Sequence, residues 1–127
     1  MKIRNIVYHR EKVSPNVEVE FEGKQPTQPL VEDLTQALSE AYGYQSLRHE
    51  FSPQSGGRVS RFGIDSGSPD CYIIKEDGKP FGLDSVAKVV VGTESDRAYI
   101  SMFDMKRQHE FLPKYADRLS SLVEQGN

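Results

Sequence analysis

Between residues 17 and 22 the chain alternates without interruption: Val17, Val19 and Phe21 against Glu18, Glu20 and Glu22. Successive side chains of an extended strand point to opposite faces, so this segment has one apolar side and one acidic side. A helix, with its period of 3.6, would scatter the same residues around its axis. A strand buried on both faces would not tolerate the carboxylates. The segment therefore calls for a sheet with one face on a core and the other on water, the usual condition of an antiparallel sheet.

Further strands are expected on both sides of this one. Residues 2–9 alternate well enough for a strand, with Ile3 and Val7 on one side and Ile6 and Tyr8 on the other. The link that follows contains Pro15, so the two strands would form a loose hairpin. Residues 45–51 and 58–64 read as two strands joined by the polar loop Ser52-Pro53-Gln54-Ser55-Gly56-Gly57. Cys71-Tyr72-Ile73-Ile74-Lys75 is a strand buried at least in part, and Asp77-Gly78 is a two-residue hairpin turn returning through Lys79-Pro80-Phe81. Residues 85–91 and 97–103 form another hairpin.

Two helices interrupt and close this order. The cluster Gly23, Pro26 and Pro29 breaks the strand pattern. A helix then runs over 29–42, capped by Thr27 or Gln28, with Pro29 at its first position, where the missing N–H costs nothing. Leu30, Leu34, Ala37, Leu38 and Ala41 form its apolar face, Glu32 and Asp33 are placed in its first turn, and Gly43 ends it. Phe111, Leu112, Tyr115, Leu119, Leu122 and Val123 keep helical spacing near the end of the chain. Because a proline belongs in a first turn, Pro113 sets this helix at 112–124, with 104–110 as a separate turn. A turn there also suits Lys106, Arg107 and His109, whose charge would oppose a helix N-terminus.

The expected architecture is a single α+β domain over residues 1–127. It has a largely antiparallel sheet of about five to seven strands, with the two main helices on one face. Leu, Ile, Val and Phe supply 31 of the 127 residues, enough for a core. No apolar run approaches the length of a bilayer span or a signal peptide, so no membrane partner is expected. Cys71 is the sole cysteine, which suits a reducing, cytoplasmic setting and a small buried hydrophobe.

Charge narrows the function classes. The formal net charge of −3 excludes a globally basic nucleic-acid binder. The three carboxylates Glu18, Glu20 and Glu22 form an acidic face able to steer a basic protein partner. Residues 45–64 carry three basic groups and one acidic group, a basic hairpin with Arg48, His49, Arg58 and Arg61 and interleaved Phe51 and Phe62. That set is the alternative site, for a nucleotide or nucleic acid.

Catalytic patterns are sparse. There is no glycine-rich phosphate fingerprint, no Gly-x-Ser-x-Gly elbow and no metal-type spacing of His and Cys. Pro69-Asp70 followed by Asp77-Gly78-Lys79 superficially resembles the metal-binding pattern of restriction-type nucleases. The two acids are separated by roughly 23 Å of strand, which one metal cannot bridge. A small enzyme would need His49, Asp70 and Lys75 or Lys79 to converge. The reading favoured by these features is a non-catalytic protein-interaction module without cofactor or metal. It would be an inhibitor or an immunity or anti-defence protein of bacterial or phage type, with an exposed strand edge that could support a homodimer.

Overall fold

The computed structural model describes residues 1–11, 14–44, 46–51, 58–60, 63–65, 70–75, 85–90 and 94–124. The elements run β1 (Ile3–His9), β2 (Asn16–Pro26), α1 (Gln28–Tyr42), β3 (Leu47–Phe51), β4 (Arg58–Ser60), β5 (Gly63–Asp65), β6 (Asp70–Lys75), β7 (Ser85–Val90), β8 (Glu94–Met102) and α2 (Gln108–Glu124). Six strands form one sheet in the order β1-β2-β8-β7-β6-β3, and β4 pairs with β5 in a separate ribbon. Among the described residues every strand pair is antiparallel, the arrangement that the alternation in β2 favours. The fold is α+β, with a six-stranded antiparallel sheet and two helices.

The core follows from the alternation. Val17, Val19 and Phe21 of β2 are buried, in a row with Ala98, Ile100 and Met102 of β8, Ala87 and Val89 of β7, and Cys71 and Ile73 of β6. Leu30, Val31, Leu34 and Leu38 of α1 and Phe111, Leu112, Tyr115 and Leu119 of α2 belong to the same cluster. Val31 is buried as well, whereas Ala41, expected on the apolar face, is exposed. Among the described residues no helix is long and apolar enough to cross a membrane.

Local departures from regular geometry have identifiable causes. In β1 the register skips Arg4: Ile3 pairs with Phe21, but Asn5 pairs with Glu20. This bulge shifts the alternation by one residue, so Ile3 shares the core side with Ile6 and Tyr8, while Val7 is 37% exposed on the other side. The expected pairing of Ile3 with Val7 on one face is thereby corrected. Gly23, at φ +78°, lies where the β2–β8 register is irregular between Glu20 and Gln25. A glycine accepts that left-handed backbone without a Cβ clash.

The α1 helix starts at Gln28, with Thr27 as N-cap and proline in the first turn. Glu32 and Asp33 therefore fall one turn later than expected, and the first turn holds no acid. Gly43 closes the helix at φ +69°, donating its N–H to the Ser39 carbonyl at 2.9 Å. The α2 helix starts four residues earlier than expected, at Gln108, so Pro113 lies inside it. Proline there removes the hydrogen bond to the carbonyl of His109. His109 is exposed, so water can satisfy that carbonyl. The expected turn is shorter, at 105–107, where the Asp104 carboxylate accepts the N–H groups of Lys106 at 2.9 Å and Arg107 at 3.2 Å.

The sequence expectation that 45–51 and 58–64 form one hairpin is not met. β3 pairs with β6 in the main sheet, while 58–60 and 63–65 pair with each other. β6 brings the buried Cys71 and Ile73 to the pairing, so Leu47 can pack against the core. The loop at 52–57, the turn at Asp77-Gly78 with its return, and Arg61 and Phe62 lie outside the described residues.

Leu38, fully buried beneath the sheet, measures how much this packing contributes. Leu38→Ala should lower unfolding stability by about 2–5 kcal/mol, read as a reduced urea midpoint at unchanged slope.

Candidate functional site

The sheet face opposite the core cluster carries an ordered set of charges at its β1-β2-β8 end. Register sets the rows: Asn5, Glu20 and Arg97 lie across the three strands, and Val7, Glu18 and Tyr99 form the next row. Arg97 reaches both carboxylates. One guanidinium nitrogen donates to Glu20 at 2.7 Å and the other to Glu18. His9 Nε2 lies 2.7 Å from the second oxygen of Glu18, and Arg4, on the bulge, lies 3.6 Å from Glu20. Arg97 is also hydrogen-bonded to Tyr99, and this bond, ahead of the two carboxylate charges, holds its guanidinium above the usual arginine range.

This geometry changes the meaning of the acidic stripe. Glu18, Glu20 and Glu22 lie on the side away from the core, as the alternation predicts. Yet the side chains of Glu18 and Glu20 are only 17% and 27% exposed, and two guanidiniums and an imidazole engage them. The four formal charges of Arg4, Arg97, Glu18 and Glu20 sum to zero. Glu22 is exposed, and its backbone is held by Lys2 and Gln25. Nor is β2 an edge strand, since it lies between β1 and β8. The stripe is thus one half of a cross-strand ladder whose other half comes from β1 and β8. Exposed pairs of this kind contribute about 0–1 kcal/mol each to stability. Their larger effect is to hold charged groups in fixed positions.

Of the basic set, Arg48, His49 and Arg58 fall among the described residues, on two separate sheets, and Arg61 lies outside them. Arg48 forms an ion pair with Glu50 along β3. His49 stands on the other side of the strand, its Nε2 2.9 Å from the Gln28 side-chain nitrogen at the start of α1. Arg58 begins the separate β4–β5 ribbon. Of the residues a small enzyme would need to bring together, His49 is opposite Ile73, Asp70 lies three residues along β6 from Ile73, exposed Lys75 is opposite Leu47 two residues from His49, and Lys79 lies outside the described residues. Among the described residues no group of three or more His, Cys, Asp or Glu is arranged to hold a metal ion.

A second polar cluster clasps the helices. Asp33 of α1 accepts a hydrogen bond from the buried Tyr115 hydroxyl at 2.8 Å and pairs with Arg118 at 3.0 Å. Burial first, then the Asp33 charge, raises the Tyr115 hydroxyl well above its ordinary pKa. Beyond it, Arg107 stacks 4.2 Å over the Tyr42 ring and donates to the Tyr44 hydroxyl at 2.8 Å, tying the start of α2 to the end of α1.

Arg97, Arg4 and His9 were not singled out by sequence reasoning. The signal was present: Arg97, Tyr99 and Ser101 alternate with buried Ala98, Ile100 and Met102. What was missing was the identity of the strand beside β2. No family model, curated protein or solved structure matches the chain.

Two outcomes test this electrostatic description. Asp33→Ala leaves the Tyr115 hydroxyl buried without its acceptor and should cost about 1–3 kcal/mol in chemical denaturation. Burial pushes the Cys71 thiol up to about 12, so the folded protein keeps it protonated far above the pKa of an exposed cysteine. At about pH 8 the native thiol should resist a disulfide reagent and react fully once denatured. Because the folded pKa is the higher one, this thiol stabilises the fold below the unfolded value near 8.5, and that contribution fades as pH rises toward about 12.

Proposed function

We propose that the protein is a small non-catalytic interaction module that occupies a partner protein through the open face of β1, β2 and β8. It would act by steric blocking, as an inhibitor or as an immunity or anti-defence protein does. The observation that carries this reading is the Arg97-centred ladder. It presents guanidinium, carboxylate, imidazole and phenol groups on one sheet face, with Val7 and Tyr99 among them. Arginine and tyrosine are favoured at protein interfaces. Groups already held by hydrogen bonds lose less side-chain freedom on binding, which favours affinity for a shape-matched partner.

The ladder also revises how such a partner would be recognised. A free acidic stripe would attract any basic surface. A neutralised ladder instead selects a partner whose own charges alternate to match, since mismatched groups would leave desolvated charges unpaired. The nucleotide alternative draws no comparable support, because Arg48 and His49 point to opposite sides of their strand and each has a protein partner.

The test is affinity capture from lysate, reconstitution of the captured protein with purified components, and titration calorimetry. Arg97→Glu should weaken the reconstituted complex at least tenfold, on the order of an interface hot spot, while circular dichroism stays native. A complex indifferent to this reversal, or retention of nucleic acid in place of protein, would overturn the reading.

A further inference from the structure

The sheet has two ends, and they differ. At one end β1 is interrupted by the bulge at Arg4, a device that twists an edge away from further pairing. At the other end β3 pairs with β6 through five consecutive residues without a register shift. Among the described residues β3 has no second strand partner. Its sequence is Leu47-Arg48-His49-Glu50-Phe51.

That pentapeptide is complementary to itself when reversed. Place two copies antiparallel about a two-fold axis at His49. Leu47 then stands opposite Phe51 of the second copy, apolar against apolar. Arg48 stands opposite Glu50 of the second copy, and the symmetry repeats this pair. His49 meets its own counterpart on the axis. An isologous interface needs this kind of pattern, in which each residue meets its complement twice. The same operation on β1 about Ile6 sets Arg4 against Tyr8 and Asn5 against Val7, with no charge match.

We propose that the protein forms a two-fold dimer by antiparallel pairing of β3 with β3, giving one continuous twelve-stranded sheet. Within one copy Arg48 and Glu50 are paired along the strand, where residues two apart lie roughly 6.6 Å from each other. Directly opposite residues across an antiparallel pair are nearer, with Cβ atoms about 4.5–5.5 Å apart. Dimerisation therefore extends the in-strand Arg48–Glu50 pair of each copy into a square of four alternating charges. Both side chains are accessible for this, at 34% and 39% exposure.

Five residues of strand cover too little surface for a stable dimer, which buries roughly 1,200 Å² or more. The groove beside β3 offers further surface to a second copy. It has a volume of about 330 Å³ and lies between β3 and the α1 stripe Glu32, Thr35, Gln36 and Ser39. A second copy on β3 would bring its own α1 alongside this stripe and close the groove from both sides. The Thr35 hydroxyl already donates to the Val31 carbonyl at 2.7 Å, so covering it leaves no new unpaired donor.

The experiment is sedimentation equilibrium over a concentration series, with native mass spectrometry of mixtures. The wild-type chain should reach twice its 14.4 kDa mass. Arg48→Glu and Glu50→Arg should each weaken the dimer by at least roughly tenfold, because each sets like charges opposite one another twice. Mixed together, these two variants should pair one to one as a heterodimer, since the all-acidic strand then meets the all-basic strand. Cys71 is buried, so a cysteine placed on the axis by His49→Cys should be the one that links two chains on mild oxidation, whereas Asn5→Cys on β1 should not. A wild-type chain that stays monomeric at its highest soluble concentration overturns the proposal. So does a dimer that survives both single substitutions, or one in which the mixed variants fail to pair and His49→Cys fails to cross-link.

Discussion

The pairing of β2 with β8 joins residues 17 and 100, and the position of the N-terminal hairpin depends on it. Without it β1 and β2 would be tethered only by the short route into α1, and α2 would lose the part of the sheet it covers. Closing a loop of that span costs on the order of 4 kcal/mol beyond a constant term. The apolar side of the seam outweighs this. Val17, Val19, Ala98 and Ile100 have no exposed surface, and each buried Val or Ile side chain contributes about 1.5–3 kcal/mol. The polar side contributes little energy but discriminates between registers. A slip by one residue would turn Glu18 and Glu20 into the core and separate both from Arg97. Burial holds the seam together, and the ladder fixes which residues meet across it.

How much of this was legible depends on whether the determining contact is local. The alternation in β2 and the periodicity of α1 are properties of six and fifteen consecutive residues; the first is found as expected, and the second differs only in that Val31 is buried and Ala41 exposed. Pro113 misled because its local preference for a first turn was overridden by Phe111 and by Gln108, which are buried one turn earlier. The Arg4 bulge was invisible because it exists only relative to β2. Arg48, His49, Arg58 and Arg61 looked like one site on the assumption that neighbours in sequence pair in space. β3 instead crosses to β6, where the core is. For the same reason the counter-ions of Glu18 and Glu20 could not be read beside them: they come from position 97, far along the chain, and from the bulge at position 4.

The two surfaces argued for function lie at opposite ends of the sheet. β2 and β3 are separated by four strand spacings, about 19 Å, so changes at one should leave the other intact. This separation also bears on what a dimer would do. Joined through β3, the two β2 strands would stand nine spacings apart, about 43 Å. Adjacent strands turn by about 20–25° on average, so nine steps rotate one docking face against the other by about 180–225°. The two faces then look in nearly opposite directions. A single bivalent partner could not grip both, and avidity of the kind two co-directed sites provide would not arise. Under the two proposals together, the dimer would hold two partner molecules apart, each blocked by its own ladder, with β3 pairing setting their separation and not their affinity.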